Sequence, residues 1–445
     1  MYPYICRSIL IILFISLFSL TAFGQDTTKS PEASAFNPDI RQLLTGLLEN
    51  HEEIKTFRHR VESAQALLRQ SQGLYYPRLD LYGDAGYEKI EKQYGVKNSE
   101  EDRHSVTLRG TQLITDFGKT THTIGRDQTF LEQAQARLDA ISQQMIRDGI
   151  VAYINIVRAR ERLKIANRSE GRIKEVTGIE KALVKKGAGL SSDVLQAKSQ
   201  LAGAMAIRVE AAGELEMAKN KFHSIFYHYP TADEIEMFRE IANPDAFIPD
   251  NLENAIATAM EHNPEIKITT YDVNVTQKDI KISKSSYYPT LSLYGEAVNA
   301  HDNDGQAGYR RDYSAGVEFS YNLYSGGSDK AAIMAALANN NAAATHLGFA
   351  KKLVTEQVRN SWELLMTLTQ RNELLDQQAD ILKNFLELAK KERKMGTRSL
   401  LDVLNGEVNY INAQGNAIAA REDTKNAAFN LLFSMGRMNI DLLAQ

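Results

Sequence analysis

The chain has a single cysteine, Cys6, among 445 residues. It can form no internal disulfide, so packing or assembly must hold it together. Proline is scarce at 9 residues and tryptophan occurs once. There is one long apolar run, Ile9 to about Phe18, shorter than the ~18–20 residues that span a bilayer as a helix. If the rest of the chain enters a membrane, it must do so as β-strands closed into a barrel, the other structure that satisfies its backbone in lipid. Basic blocks are missing: 52 Lys and Arg stand against 56 Asp and Glu, for a net charge of −4. Nucleic acid is therefore not an expected partner. The 9 histidines lack metal-ligand spacing, and no Gly-x-Ser-x-Gly, P-loop or cysteine nucleophile occurs. No enzymatic activity, metal or cofactor is expected.

What is present begins with a leader. Arg7 precedes the apolar run, and Ala22-Phe23-Gly24 follows as a small-x-small cleavage site. Residues 1–24 read as a secretory signal peptide and 25–36 as an N-terminal extension.

The dominant feature is an internal repeat. Tyr75-Tyr76-Pro77-Arg78-Leu79-Asp80-Leu81-Tyr82-Gly83 returns as Tyr287-Tyr288-Pro289-Thr290-Leu291-Ser292-Leu293-Tyr294-Gly295. His51-Glu52-Glu53-Ile54 returns as Asn263-Pro264-Glu265-Ile266. Farther on, Asp116-Phe117-Gly118 aligns with Ser325-Gly326-Gly327, and Gly187 through Asp193-Val194-Leu195 aligns with Gly396 through Asp402-Val403-Leu404. The chain thus divides into a first repeat, 37–230, a Pro-containing connector, 231–250, a second repeat, 251–440, and a short tail, 441–445.

Each repeat predicts the same order of elements. A helix over about 38–73 or 252–285 must stop at the Tyr-Tyr-Pro phrase, because proline fixes its own φ and drives its predecessor out of the α region. After Pro77 and Pro289 the period becomes two, with Leu79, Leu81, Gly83 and Ala85 opposing Arg78, Asp80, Tyr82 and Asp84, which is strand alternation. A polar loop is expected over 89–103 and over 299–312. A second strand follows, clear over 313–323 and weaker over 105–113. The proline-free stretches 119–186 and 328–395 then predict helices of roughly 100 Å at 1.5 Å per residue. Val354, Val358, Leu365, Leu368, Leu375, Leu382 and Phe385 suggest a coiled-coil seam in the second of them. A returning helix is expected over about 192–226 and 400–434.

Two strands per repeat make four per chain, too few to close a membrane barrel, whose smallest examples have about eight. An open edge is forbidden in lipid, so several chains must share one barrel. Three would supply about twelve strands, the smallest multiple with a lumen. Tyrosines near the strand ends, among them Tyr75, Tyr82, Tyr294 and Tyr313, suit interfacial girdles.

With these motifs in view, the chain resembles the TolC family of outer-membrane efflux and secretion channels over nearly its whole length. The resemblance rests on Tyr76-Pro77-x-Leu79 and Tyr288-Pro289-x-Leu291 where the strands begin, on Leu323-Tyr324-Ser325-Gly326-Gly327, and on the two Gly-to-Asp-Val-Leu landmarks. It implies an α+β membrane protein: a homotrimeric twelve-stranded barrel in outer-membrane lipid, continued by an α-helical coiled-coil tunnel in the periplasm. It also implies a periplasmic adaptor (membrane fusion) protein and an inner-membrane ABC or RND pump as partners, and passive export in type I protein secretion or small-molecule efflux. By residue-by-residue match, Arg398 takes the place of the arginine linking neighbouring tips, Asp193 that of its acidic partner, and Asp402 that of the lumen-facing aspartate ring. Gly187 and Gly396 mark the turns. The chain departs from the best-known gate in having Asn405 where a second aspartate ring would stand and Arg393 in place of a tyrosine, which implies a more ionic closure. The rival reading, a periplasmic coiled-coil scaffold or adaptor without a barrel, explains the helices but leaves the Tyr-Pro strands without a purpose.

Overall fold

The computed structural model describes residues 39–93, 98–187 and 190–443. The expected leader, N-terminal extension and last two residues lie outside them, as do Ala188 and Gly189.

The first helical segment is two helices, α1 (Ile40–Asn50) and α2 (Glu52–Gly73), and so is its repeat, α6 (Leu252–His262) and α7 (Pro264–Lys284). This corrects the single helix expected in each repeat. Pro264 keeps Asn263 extended at φ −61°, ψ 124°, and the Asn263 side chain caps Glu265 N at 2.9 Å. In the first repeat His51 performs the same break, its Nδ1 accepting from Glu53 N at 3.2 Å.

Strands β1 (Arg78–Ile90), β2 (Ser99–Thr115), β3 (Thr290–Asn303) and β4 (Gln306–Ser320) form one antiparallel sheet in the order β1-β2-β3-β4. The strands run well into the stretches expected as polar loops. The β3–β4 connection shrinks to Asp304-Gly305, with Asp302, Asp304 and Gly305 all at positive φ, the turn chemistry that polar and glycine residues allow. β2 is longer than its weak pattern suggested because its pairing to β1 and β3 satisfies the backbone along its length. The register sorts the side chains. Leu79, Leu81, Val106, Leu108, Leu291, Leu293, Val317 and Phe319 share one face; Asp84, Arg103, Arg109, Glu296 and Glu318 share the other.

Gly118 and Gly327, at φ 100° and 86°, start the long helices α3 (Lys119–Lys185) and α8 (Ser328–Lys394), each of 67 residues. These return as α4 (Ser191–Phe226) and α9 (Leu400–Ser434). A short helix, α5 (Ala232–Met237), begins the connector behind a Thr231–Glu234 capping box. In α4 the buried residues Ala197, Ala204, Ala211 and Ala218 repeat every heptad, so small side chains let it lie close against α3. The α8 seam buries Val354, Val358 and Leu365 as expected, but farther on Leu386 is buried and Phe385 is exposed. No helix among the described residues is long and apolar enough to cross a membrane.

Candidate functional site

Two places combine special backbone with functional chemistry: the turns of the long hairpins and the joints where helices meet strands. Gly187 (φ 74°) and Gly396 (φ 80°) occupy left-handed positions that favour glycine. Ser399 then caps α9, its Oγ accepting from Asp402 N at 3.1 Å.

Around the second turn the charges interlock. Arg398 lies 3.1 Å from Glu392 and 3.7 Å from Asp402, with its guanidinium over the Phe385 ring at 5.0 Å. The same ring packs against α9, where a Cβ on Gly406 would lie 3.1 Å from it. Within the chain Arg398 thus engages its own hairpin; Asp193, half-buried in the first turn of α4, receives a 3.4 Å hydrogen bond from Ser192. Arg393 does cross between hairpins, meeting the buried Glu180 of α3 at 3.2 Å. Asn405 crosses too, accepting from Gln200 of α4 at 3.2 Å.

Sequence reasoning missed the acids beneath these links. Glu407, buried, lies 2.8 Å from Lys390 of its own hairpin and 2.6 Å from Arg172 of α3. The Arg172 approach is a contact of charges, not an aligned hydrogen bond. A signal existed for Glu180: it falls on the buried face of α3 with Ile173 and Thr177, where a carboxylate needs a partner. Beside these links Ile173, Ala197, Ala204, Leu400 and Leu404 form one apolar cluster joining the two hairpins.

At the other end Tyr76 and Tyr288 are exposed beside Pro77 and Pro289. Tyr288 stacks on Phe117 at 5.7 Å, and the Tyr75 hydroxyl meets Thr121 at 2.6 Å. Tyr313 shares the apolar face of the sheet with Val317 and Phe319. Tyr82 and Tyr294 do not: alternation puts them on the polar face, where Arg109 lies 5.5 Å from the Tyr294 ring centroid and also pairs with Glu296 and Glu318. They are not girdle residues, which corrects that expectation.

An apolar outer face, a polar inner face, four strands with two free edges and helical hairpins of this length define a shared-barrel channel: several chains close one barrel, and their helices continue it as a tunnel. The outer membrane efflux protein family matches residues 43–225 and 255–437, one match per repeat. The chain belongs to that family. It is 23% identical to the outer membrane efflux protein BepC of Brucella suis over 342 residues, covering 76% of this chain and 73% of that one. It is 21% identical to the alkaline protease secretion protein AprF of Pseudomonas aeruginosa over 339 residues, covering 75% and 70%. In fold it superimposes on the Campylobacter jejuni CmeC outer membrane channel with a TM-score of 0.76 at 16% identity, covering 89% of this chain and 85% of that one. The architecture is therefore a trimeric barrel in the outer membrane with a helical tunnel in the periplasm.

Proposed function

We propose that this protein is the exit duct of a tripartite export system, passive in itself and closed at rest by its helical tips. The observation that carries the reading is the set of charged and polar links between the two hairpins of one chain beside the tip: Arg393 to Glu180, Arg172 to Glu407 and Gln200 to Asn405. Both ion pairs set a partly exposed arginine on a buried carboxylate, and removing one partner of such a pair costs about 1–3 kcal/mol, so a docking adaptor that competes for the arginines can undo a closure made of only a few links. Asp402, half-exposed at the start of α9, would form an acidic ring on a threefold axis and favour cations at the constriction. Arg398 and Asp193 are assigned to contacts between neighbouring protomers. The adaptor, and an inner-membrane ABC or RND pump behind it, would supply opening and energy.

Planar-bilayer conductance tests the gate. The parent chain should conduct poorly, and Arg393→Ala combined with Arg398→Ala should raise the conductance severalfold. A double variant as tight as the parent rules out a tip gate. As to cargo, the similarity to both an efflux protein and a protease secretion protein keeps both export modes in view. The aromatic end of the first repeat, Phe222 to Pro230, resembles that of family members serving type I secretion. Mild crosslinking in cells followed by identification of the captured pump decides between them.

A further inference from the structure

At the joint between tunnel and barrel, α3 begins and α7 ends side by side. Between them lies a cavity of about 530 Å³ lined by Phe117, His122, Lys281, Lys284, Ser285 and Tyr288. Its walls are of two kinds: two stacked aromatic rings above, and cations below. Lys278 adds to the positive side, its Nζ reaching to within 3.5 Å of the position a Cβ on Gly125 would take.

Among the described residues the nearby carboxylates are engaged elsewhere. Asp127 and Asp279 both face Arg126, at 2.9 and 3.6 Å. Asp116 commits its carboxylate to Gly118 N, Thr120 N and the Thr120 hydroxyl. No carboxylate among the described residues pairs with Lys278, Lys281 or Lys284. The first turn of α3 also carries no acid and instead begins with Lys119, although a helix N-terminus favours negative charge. His122 is held below its ordinary pKa by burial first and then by Lys281 and Lys278, with Asp116 opposing. A site arranged this way, in a chain that is negative overall, suits an anion.

Position identifies the kind of anion. The bulge between Leu113 and Thr115 sets Thr115 opposite Leu291, a residue of the apolar outer face. Phe117 follows the end of β2 in a left-handed turn at φ 53° and stacks on Tyr288, just ahead of β3, so the cavity sits at the helix-side end of the sheet. The cavity therefore lies where the strands give way to the tunnel helices, at the periplasmic boundary of the membrane, the level of headgroup phosphates.

We infer that this cavity holds the phosphate of an anionic phospholipid from the periplasmic leaflet, one per protomer, with Lys281, Lys284 and His122 on the phosphate and Phe117 and Tyr288 against the start of the acyl chains. Basic pockets beside membrane-spanning elements recognise lipid headgroups in this way.

Native mass spectrometry of the full-chain trimer, delipidated in detergent, tests the inference with dioleoylphosphatidylglycerol as the probe. Dioleoylphosphatidylcholine and inorganic phosphate serve as comparisons. The parent should bind phosphatidylglycerol saturably to about three per trimer and phosphatidylcholine more weakly. Lys281→Gln with Lys284→Gln should weaken phosphatidylglycerol by roughly tenfold or more, given about a fivefold effect per lysine near a lipid surface, while the trimer's thermal stability stays the same. Should the double variant fail to assemble, each single substitution carries the test through its own roughly fivefold loss. Equal binding by parent and variants overturns the inference. So does phosphatidylcholine binding as tightly as phosphatidylglycerol, or a parent that holds inorganic phosphate but no lipid. These outcomes are independent of the tip gate.

Discussion

Glu180 is a buried carboxylate on a face of α3 that otherwise buries no charge near the tip, and its cation, Arg393, comes from the other hairpin. Removing the cation leaves a charge with nowhere to go, which costs more than the pair itself contributes. Arg393→Ala should therefore destabilise the tip by about 1–3 kcal/mol, read as faster amide hydrogen exchange in the last turns of α3. Adding Glu180→Gln should recover part of that loss, because a neutral amide is cheaper to leave unpaired. If the double variant exchanges faster than Arg393→Ala alone, the pair is not what holds the tip. This level of detail was only partly legible in the sequence. The Gly, Arg and Asp positions of the tip could be read from the repeat and the resemblance. Their partners could not, because Glu180, Glu407 and Arg172 become neighbours of the second hairpin only when the two coils pack.

Elements were more legible than contacts. The proline-free stretches gave the long helices to within a residue or two, and Pro77 and Pro289 located the start of β1 and β3. The breaks at His51 and Asn263 were missed: a histidine cap has no strong sequence signature, and Pro264 is also acceptable as a first helical residue. The strand extensions were missed because their residues are polar on the inner face, and a strand bordering a water-filled lumen needs only one apolar side. Backbone geometry makes a prediction here. Gly327 starts α8 at φ 86° with no side chain near the position a Cβ would take, so Gly327→Ala should cost about 1–2 kcal/mol through backbone strain alone. A lowered heat-dissociation temperature of the trimer checks it; an unchanged one says the turn adapts.

The connector offers a pH test at the same scale. Glu240 accepts from Lys425 of α9, and that hydrogen bond holds its carboxyl below the usual carboxylate range. Its folded pKa is thus lower than its unfolded one. The link is fully present at neutral pH and is lost as the pH falls through the folded value. Glu422 works against it, since burial raises its carboxyl despite the nearby Lys425. Hydrogen exchange over 238–248 should stay slow from neutral pH down to the ordinary carboxylate range and accelerate below it, after correction for intrinsic rates, whereas Glu240→Gln should be fast throughout. Uniform protection in that variant would remove Glu240 from the account.

For the whole molecule, the strand count decides most. A four-stranded sheet with one apolar face and two open edges is unsuited to water and impossible in lipid until neighbours close it. The need for partners was therefore legible in the doubling of the Tyr-Tyr-Pro phrase, which sets the number of strands. The contacts between protomers, and with them the roles proposed for Arg398, Asp193 and Asp402, belong to the assembly and not to one chain. Single-particle electron cryo-microscopy of the full chain in lipid nanodiscs tests the central claim most directly. The account predicts a threefold particle with a barrel of about twelve strands in the bilayer and one helical tube of roughly 100 Å projecting from a single side, narrowed at its far end. A chain that stays monomeric, or a coiled coil outside the nanodisc with no strands in the bilayer, would contradict it.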